Sequence, residues 1–426
     1  MKKTLSIIIC ILIIISLSSI SYAHEDVIYV WQRNWDGYLE KAISIIQDKT
    51  GYFTVLCGDL KFKGKKTNIN LVDIKWEYLN KTEISVTLAF RINTYARKLF
   101  ATDELYPIAT AIKDAISKTI SLAPQDKVVG IQFDYDCPTS KIKDYTRFLK
   151  IMGEQLKPLK KELAKFEISI TVLPTWLESN DFKELVKATD YYVLQLHSFE
   201  LPKDSSQANK IFPNDRAKSY IEQASLLKHP YYISLPTYGY EVAFSKSGKF
   251  LGLRAEGNPI PWGKDVSCNT EMVDPSEIFT FTQYLKDNKP QYLLGIHWFR
   301  LPLKSDEFNW DIKTLLAIIE GRQPKLNIRT EIVNSKSGLY EIYIINDGEQ
   351  KITSPVRFEL TWDNENTVVY DVLEQYNGQR DKQGLQIKGP APNAGKKSLV
   401  AWFRNTNNRK GNISLEVSDV EICEDN

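Results

Sequence analysis

The chain has 426 residues, of which 55 are lysine or arginine and 53 are aspartate or glutamate, so its formal net charge at pH 7 is +2. This balance excludes functions that depend on a strongly basic surface, and we expect no nucleic-acid partner. The basic stretch 157–165 is better explained as the solvated face of a helix than as a binding patch. A chain of this length can form two or three domains with sizeable cores.

The first 23 residues have the features of a signal peptide. Lys2 and Lys3 supply a positive start, residues 7–17 form an apolar stretch, and Ser21–Ala23 match a small-residue cleavage site. The apolar run is short for a membrane span and no comparable run follows, although a retained membrane anchor is the alternative. We therefore expect cleavage after residue 23, no stable membrane span afterwards, and export to the periplasm or the extracellular space.

Four cysteines remain after residue 23, at positions 57, 137, 268 and 423. They lack the paired spacing of a zinc site, and we expect no metal and no cofactor. An exported location permits disulfides, but the sequence does not choose the pairs.

From residue 27 to residue 319, strand patterns alternate with helix patterns. The strand candidates are Val27–Trp31, Phe53–Leu60, Ile84–Ile92, Val128–Asp136, Ile168–Pro174, Tyr191–His197, Tyr232–Pro236 and Tyr292–Trp298. The second strand is alternatively split between Phe53–Leu56 and Leu71–Tyr78. Helices are predicted at Gly37–Gln47, Glu104–Ser121, Lys141–Leu163, Phe182–Lys187, Arg216–Leu227, Pro275–Lys286 and Asp311–Glu320, with a kink or an end at Pro158.

Eight strands alternating with helices predict an α/β fold, a (β/α)₈ TIM barrel spanning residues 24–322. A doubly wound open sheet is the competitor, but no Gly-x-Gly-x-x-Gly turn follows the first strand.

Residues 325–426 have a different sequence pattern, in which short runs of alternating apolar and polar residues are separated by turns rich in asparagine, aspartate and glycine. This pattern predicts a C-terminal antiparallel β-sandwich. It would be either a carbohydrate-binding module or a packing partner of the barrel. Because its clearest aromatic candidates are only Trp362, Tyr376 and Trp402, we favour structural support.

The fourth predicted strand, within Val128–Pro138, ends in an unusual way for a core strand. It starts as an apolar run and then places Gln132, Asp134 and Asp136 on one face. Burying carboxylates without partners is costly, so we expect this strand to end in a wet cleft. Active sites of TIM barrels lie at the carboxyl ends of the strands.

The spacing of Asp134 and Asp136 suits glycoside cleavage, which needs one protonated carboxyl group and one stabilising group. Residues i and i+2 on a strand lie roughly 6.5 Å apart along its axis, and their repulsion raises one pKa. We predict Asp136 as the general acid and Asp134 as its positioning or stabilising partner, with Gln132 orienting Asp134 by an amide hydrogen bond. The alternative is that both aspartates cap the next helix or meet buried arginines.

Other predicted strand ends carry groups that suit a sugar, because aromatic rings stack on its C–H faces and polar groups take its hydroxyls. The predicted substrate-binding residues are Gln132, Trp31, Arg91, Trp176, Gln195, His197, Tyr238 and Trp298. Each aromatic by itself is more often core packing. His197 is either a second acid/base or, as we favour, a hydrogen-bonded rim residue. A metal role is weak, because no His-x-x-x-His pair or carboxylate cluster lies beside it.

Three segments resemble chitinase-like glycoside hydrolases of family eighteen. Gly130–Asp136 resembles their fourth-strand motif Gly-x-Asp-x-Asp-x-Glu, and Leu235–Tyr240 is similar to their Pro-x-Tyr-Gly segment. Leu294–Trp298 resembles their last strand, whose tryptophan forms the floor of the sugar site. The segment 241–273 falls where many of these enzymes carry a small extra subdomain. The resemblance implies a glycosidase-like barrel over roughly residues 27–320.

The overall pattern is more similar still to a family of exported bacterial proteins of unknown function with a glycosidase-like barrel. The matching segments are 132–140, 173–177 and 195–199.

Two departures from the chitinase motif affect the expected chemistry. Asp136 replaces glutamate and is one methylene shorter. A carboxyl group that lies about 1 Å farther from the leaving oxygen can lower the rate by orders of magnitude. Gln132 replaces the first aspartate and cannot share a proton with Asp134. A chitinase-type mechanism uses the N-acetyl oxygen of the substrate as nucleophile, so one acid and one positioning group suffice.

The sequence thus predicts an exported glycoside hydrolase-like protein that acts on a carbohydrate or cell-envelope glycan. A catalytically inactive barrel that binds polysaccharide or an envelope partner through the same cleft is the alternative. A purely structural envelope protein is a third.

Overall fold

The computed structural model describes residues 25–63, 66–79, 83–93, 105–197, 201–206, 210–255, 259–334, 339–352, 354–362, 368–380, 384–405 and 415–423. The predicted signal peptide, residues 1–23, lies outside the described residues.

Eight parallel strands close into a barrel, which confirms the predicted fold. The first twelve strands are β1 (Glu25–Val30), β2 (Tyr52–Lys63), β3 (Lys66–Leu71), β4 (Ser85–Ile92), β5 (Val128–Asp134), β6 (Glu167–Val172), β7 (Tyr191–Gln195), β8 (Tyr231–Pro236), β9 (Gly239–Ser245), β10 (Phe250–Arg254), β11 (Val266–Met272) and β12 (Leu293–Phe299). The barrel order is β1-β2-β4-β5-β6-β7-β8-β12, and β12 pairs with β1 to close it. An open sheet is thereby excluded.

The helices of the described chain follow the predicted stripes closely. They are α1 (Gly37–Ile46), α2 (Trp76–Leu79), α3 (Leu105–Leu122), α4 (Ile142–Gln155), α5 (Lys157–Glu162), α6 (Phe182–Val186), α7 (Asn214–Leu226), α8 (Pro275–Asn288) and α9 (Ile312–Ile319). The predicted helix 141–163 is divided in two, and Pro158 lies in the first turn of α5, where its missing N–H costs nothing. The split-strand alternative is wrong, because β2 is continuous to Lys63 and 76–79 is helical.

Alternation along the barrel strands sorts the core into two layers. Tyr29 and Trp31 on one face of β1 pack inside the barrel, with Leu56 and Ala89. Ile28 and Val30 on the other face join the larger core between strands and helices. The side chains that point inward near the carboxyl ends of the strands therefore lie at the mouth of the barrel.

A small antiparallel sheet of β9, β10 and β11 lies between β8 and α8 in the chain. Its first residue, Gly239, approaches β11 so closely that a Cβ would lie 2.2 Å from the carbonyl oxygen of Glu271. Only glycine fits there. Arg254, which is buried, ties the sheet down through ion pairs with Glu241 and Glu307.

The C-terminal part of the chain forms two antiparallel sheets around one apolar core, as predicted. Its strands are β13 (Ile328–Asn334), β14 (Leu339–Asn346), β15 (Val356–Trp362), β16 (Val368–Val372), β17 (Asn377–Arg380), β18 (Gly384–Gly389), β19 (Lys396–Asn405), β20 (Leu415–Val417) and β21 (Glu421–Ile422). Strands β17 and β21 were not predicted, because their residues are exposed and carry no apolar alternation.

No described helix has both the length and the apolar character needed to cross a membrane. The four described cysteines form no disulfide, and Cys57 and Cys137 are buried.

Candidate active site

A cleft of about 390 Å³ opens at the carboxyl ends of the barrel strands. It brings together seven of the ten predicted site residues: Trp31, Arg91, Asp134, Asp136, Gln195, His197 and Tyr238. These residues come from β1, β4, β5, β7 and β8 or from the segments that follow them. Closure of the barrel is what converts five separate strand ends into one concave site.

Asp134 is the deeper of the two carboxyl groups. It is the last residue of β5, and its Oδ1 accepts a 2.7 Å hydrogen bond from the hydroxyl of Thr171 on β6. Burial raises the pKa of Asp134 to about 7, and the nearby charge of Asp136 adds to the rise. The Thr171 hydrogen bond and the Arg91 charge oppose it.

Asp136 lies beyond the strand end and is exposed in the cleft. Its Oδ1 accepts a 3.1 Å hydrogen bond from the side-chain amide of Gln195. Burial between the cleft walls raises the pKa of Asp136, while the Gln195 hydrogen bond and the Arg91 charge lower it. The two carboxyl groups together thus hold a proton to higher pH than isolated aspartates would.

The structure also bears on the alternative roles of the two aspartates. The N-cap of the turn Thr139–Lys141 is Pro138 and that of α4 is Lys141, and neither cap has a side-chain hydrogen bond. Among the described residues, no arginine or lysine forms an ion pair with Asp134 or Asp136 within 4.0 Å. The capping and the buried-pair alternatives therefore do not describe this site.

Gln132 has a different place from the one predicted. It is fully buried, accepts a 2.6 Å hydrogen bond from Tyr29 and donates one of 3.3 Å to Ser169. Because it lies two residues deeper in the barrel than Asp134, its amide reaches across the interior instead of toward the acid. The predicted Gln132–Asp134 hydrogen bond is replaced by that from Thr171.

His197 lies in the cleft wall within a chain of polar groups. Its Nε2 is 3.2 Å from the Ser234 hydroxyl, and its Nδ1 is 3.3 Å from the Tyr238 hydroxyl. Burial lowers the pKa of His197 to about 4, so the ring is neutral near pH 7. A neutral ring with both nitrogens hydrogen-bonded matches the rim role that we favoured. No group of histidine, cysteine or acidic residues suited to a metal occurs in the described part of the chain.

Two predicted tryptophans do not line the cleft. Trp176 follows β6 in a short turn, folds back into the core, and donates a 3.1 Å hydrogen bond to the carbonyl of Cys137. Trp298 faces the helices, and its Nε1 donates a 2.7 Å hydrogen bond to Asp26. Alternation on β12 turns the next residue, Phe299, into the cleft instead.

Sequence reasoning missed several residues of this site. Tyr29 is two residues before Trp31 and Thr171 lies on the inward face of β6, so strict alternation would have found both. Phe299 was missed because the predicted strand ended one residue early. The remaining lining residues absent from the prediction include Leu173, Pro174, Thr175, Arg216, Tyr220, Ser234, Ala255 and Arg300.

Residues 106–304 match a family model described as a domain of unknown function, DUF3142. The matched segment is similar to this family. It contains β5 to β8, the small sheet and β12, and so includes both cleft aspartates. No curated protein matches the chain.

The solved structures similar to the chain include lytic enzymes and a chitinase. The spore cortex-lytic enzyme SleL of Bacillus megaterium is 14% identical over 70% of this chain and 74% of that chain, with a TM-score of 0.50. SleL of Bacillus cereus is 13% identical over 70% and 75%, with the same TM-score of 0.50. A chitinase of Chromobacterium violaceum is 13% identical over 70% and 98%, with a TM-score of 0.48.

At these identities the likeness concerns the fold alone. The DUF3142 match agrees with the expected resemblance to a family of unknown function, and the closed barrel confirms the expected fold.

Proposed function

We propose that this protein is an exported glycoside hydrolase that acts on a glycan, with Asp136 as general acid and Asp134 as its partner. One observation carries the proposal. Two adjacent carboxyl groups with raised pKa values lie together in an aromatic-lined cleft at the carboxyl end of a closed barrel. Perturbed acids in a cleft of this kind are typical of catalytic pairs.

The proposed reaction uses one proton held by the pair. Asp136, which reaches into the cleft, donates that proton to the glycosidic oxygen as the bond from this oxygen to the sugar carbon breaks. Both carboxylates are then ionised, and Asp134 stabilises the positive charge that develops on the sugar. The acetamido oxygen of the substrate bonds to the sugar carbon as the leaving group departs. Water then adds to that carbon, the bond to the acetamido oxygen breaks, and the proton that the water loses returns to the pair.

The described cleft lining has no third carboxylate that would act as a nucleophile. With Asp134 as the stabilising partner, an acetamido oxygen of the substrate serves as the nucleophile, as the resemblance to chitinase-like enzymes implies. We therefore propose an N-acetylated envelope glycan as the substrate class. The similar solved structures include enzymes described as spore cortex-lytic, whose barrel fold is compatible with such a substrate.

The walls of the cleft support sugar binding. The aromatic residues Tyr29, Trp31, Tyr238 and Phe299 line the cleft together with the acids. The Ser234–His197–Tyr238 chain offers hydroxyl groups whose orientation is fixed by a neutral imidazole. Rings for the C–H faces and fixed polar groups for the hydroxyls are what a saccharide requires.

A polysaccharide-binding barrel without activity is the second candidate function. The observation that favours it is the short acid, because Asp136 stands where the chitinase motif has glutamate. Under this proposal the cleft binds the glycan but the carboxyl group does not reach the leaving oxygen.

Hydrolysis of cell-wall polymers and chromogenic N-acetylglycosides should be compared between wild type, Asp136→Asn and Asp134→Asn. We expect each variant to lose activity by at least about a hundredfold while glycan binding persists. Asp287→Asn, at an exposed position on α8, is the matched control and should retain full activity. Binding without turnover by wild type would favour the second candidate, and absence of both would contradict each.

Export is part of the proposal and rests on residues 1–23. Expression of the full chain in a bacterial host should yield mature protein in the periplasm or the medium, beginning near His24 by N-terminal sequencing. Full-length protein that stays in the cytoplasm would contradict export.

A further inference from the structure

A second cavity of about 240 Å³ adjoins the cleft and shares Arg91, Asp134 and Asp136 with it. The rest of its lining is Asp59, Leu60, Lys61, Ile92 and Asn93. The described lining contains no aromatic ring, whereas the first cavity is rich in them. The two acids thus lie at the junction between an aromatic compartment and a polar compartment.

The barrel strands build this polar compartment directly. Asp59 on β2, Arg91 on β4 and Asp134 on β5 occupy the same level of the barrel, paired strand to strand. Strand β2 continues past this level as a hairpin with β3, and so carries Lys61 above the rim beside Arg91. The charges are therefore positioned by regular strand pairing.

Two cations, Arg91 and Lys61, and three acids, Asp59, Asp134 and Asp136, line this compartment. Both oxygens of Asp59 are matched by Arg33, at 3.3 Å from its Nε and its Nη2. Asp134 retains its proton toward neutral pH, because burial and Asp136 raise its pKa. Arg91 and Lys61 form no ion pair within 4.0 Å among the described residues, and Asp136 balances only one of them.

We propose that the polar compartment binds a carboxylate carried by the substrate, so that the glycan spans the acid pair and bears an acidic sugar on the Arg91 side. The inference rests on the proposed glycan-binding function of the cleft and adds a substrate class to it. Arginine suits this role because its planar guanidinium donates two parallel hydrogen bonds to a carboxylate. Lys61 at the rim adds a second, more mobile charge.

The test uses two sugars that differ at one carboxyl group, which is ionised in the first and esterified in the second. The disaccharide N-acetylglucosaminyl-N-acetylmuramic acid and its methyl ester are titrated into the full mature protein at pH 6 by calorimetry. The integrity of each sugar is then checked by mass spectrometry. Wild type should bind the acid about tenfold more tightly than the ester, and added salt should reduce this preference.

Arg91→Gln and Lys61→Gln should each reduce the preference for the acid over the ester by about threefold. Lys183→Gln, at an exposed position on α6, is the control and should bind both sugars as wild type does. Circular dichroism verifies that each variant is folded.

Equal affinity of wild type for acid and ester overturns the inference, and so does a preference that survives in both cleft variants. Hydrolysis without any charge preference would overturn this inference alone and leave the proposed hydrolase standing. A charge preference without hydrolysis would support the carboxylate site and contradict the hydrolase. Binding of neither sugar overturns the inference.

Discussion

The side-chain amide of Gln195 on β7 donates a 3.1 Å hydrogen bond to Asp136, which follows β5, and thereby bridges over the intervening strand β6. The donor favours the ionised form of the carboxyl group, whereas burial favours the neutral form. The pKa of Asp136 therefore depends on a residue that is 59 positions away in the chain.

Replacing Gln195 with leucine should raise the pKa of Asp136, because the hydrogen bond that lowers it is lost. A general acid with a higher pKa stays protonated to higher pH, so the alkaline limb of the activity profile should move upward. The measurement is kcat/KM against pH for wild type and Gln195→Leu. An unchanged alkaline limb would contradict a general-acid role for Asp136.

Asp134→Asn should stabilise the protein in a manner that depends on pH. The pKa of Asp134 is raised from 3.8 to about 7 by folding, so the folded state binds the extra proton and loses stability as pH rises between these values. Asparagine does not titrate, so the variant does not lose this stability as the pH rises. We expect the variant to gain on the order of 1 to 2 kcal/mol at pH 8, after allowance for solvent in the cleft, and little at pH 4.

Urea unfolding of wild type and Asp134→Asn at pH 4, 6 and 8 measures this difference. A difference in the free energy of unfolding that is constant with pH would show that Asp134 does not titrate as described. The glycoside activity of the variant should be lost at every pH.

Trp298→Phe and Phe299→Ala should separate stability from binding. Trp298 is 1% exposed and its indole donates to Asp26, whose pKa burial raises to about 6. Its replacement by phenylalanine should cost about 1 to 3 kcal/mol of folding free energy and leave KM unchanged. Phe299 stacks on His197 in the cleft wall, with the ring centroids 5.4 Å apart. Truncation of Phe299 to alanine should instead raise KM severalfold.

Steady-state kinetics and thermal unfolding of both variants provide the comparison. A raised KM in Trp298→Phe would favour the sequence-based prediction that Trp298 forms the floor of the sugar site.

Arg322→Ala should loosen the attachment of the C-terminal sandwich to the barrel. Arg322 follows α9 and forms two hydrogen bonds of 2.7 and 2.9 Å to Glu349 in the sandwich. Since the arginine is 40% exposed, we expect a loss of about 1 kcal/mol and faster proteolysis near residues 323–325. Arg329→Ala, which breaks a surface pair with Asp347 inside the sandwich, is the control and should not change the cleavage site.

Much of this fold was predictable because its signals are local. Eight apolar strands alternating with striped helices predict parallel strands buried on both faces, as in a barrel or a doubly wound sheet, and the missing Gly-x-Gly-x-x-Gly turn favours the barrel. The two acids were recognisable for the same reason, as polar residues on one face of an otherwise apolar strand. Trp298 shows the limit, because a strand end moved by a single residue exchanges the inward face for the outward face.

The sequence by itself determined the order of the elements and the position of Asp134 and Asp136 at one strand end, and it favoured a barrel whose closure the pairing of β12 with β1 established. Only the tertiary structure decided which groups control those acids: Thr171 and Gln195 instead of Gln132, and a charged compartment formed by Asp59, Arg91 and Lys61. The physical reason is that a residue's face follows from its own strand, whereas a hydrogen bond or a net charge depends on the level at which distant strands pair.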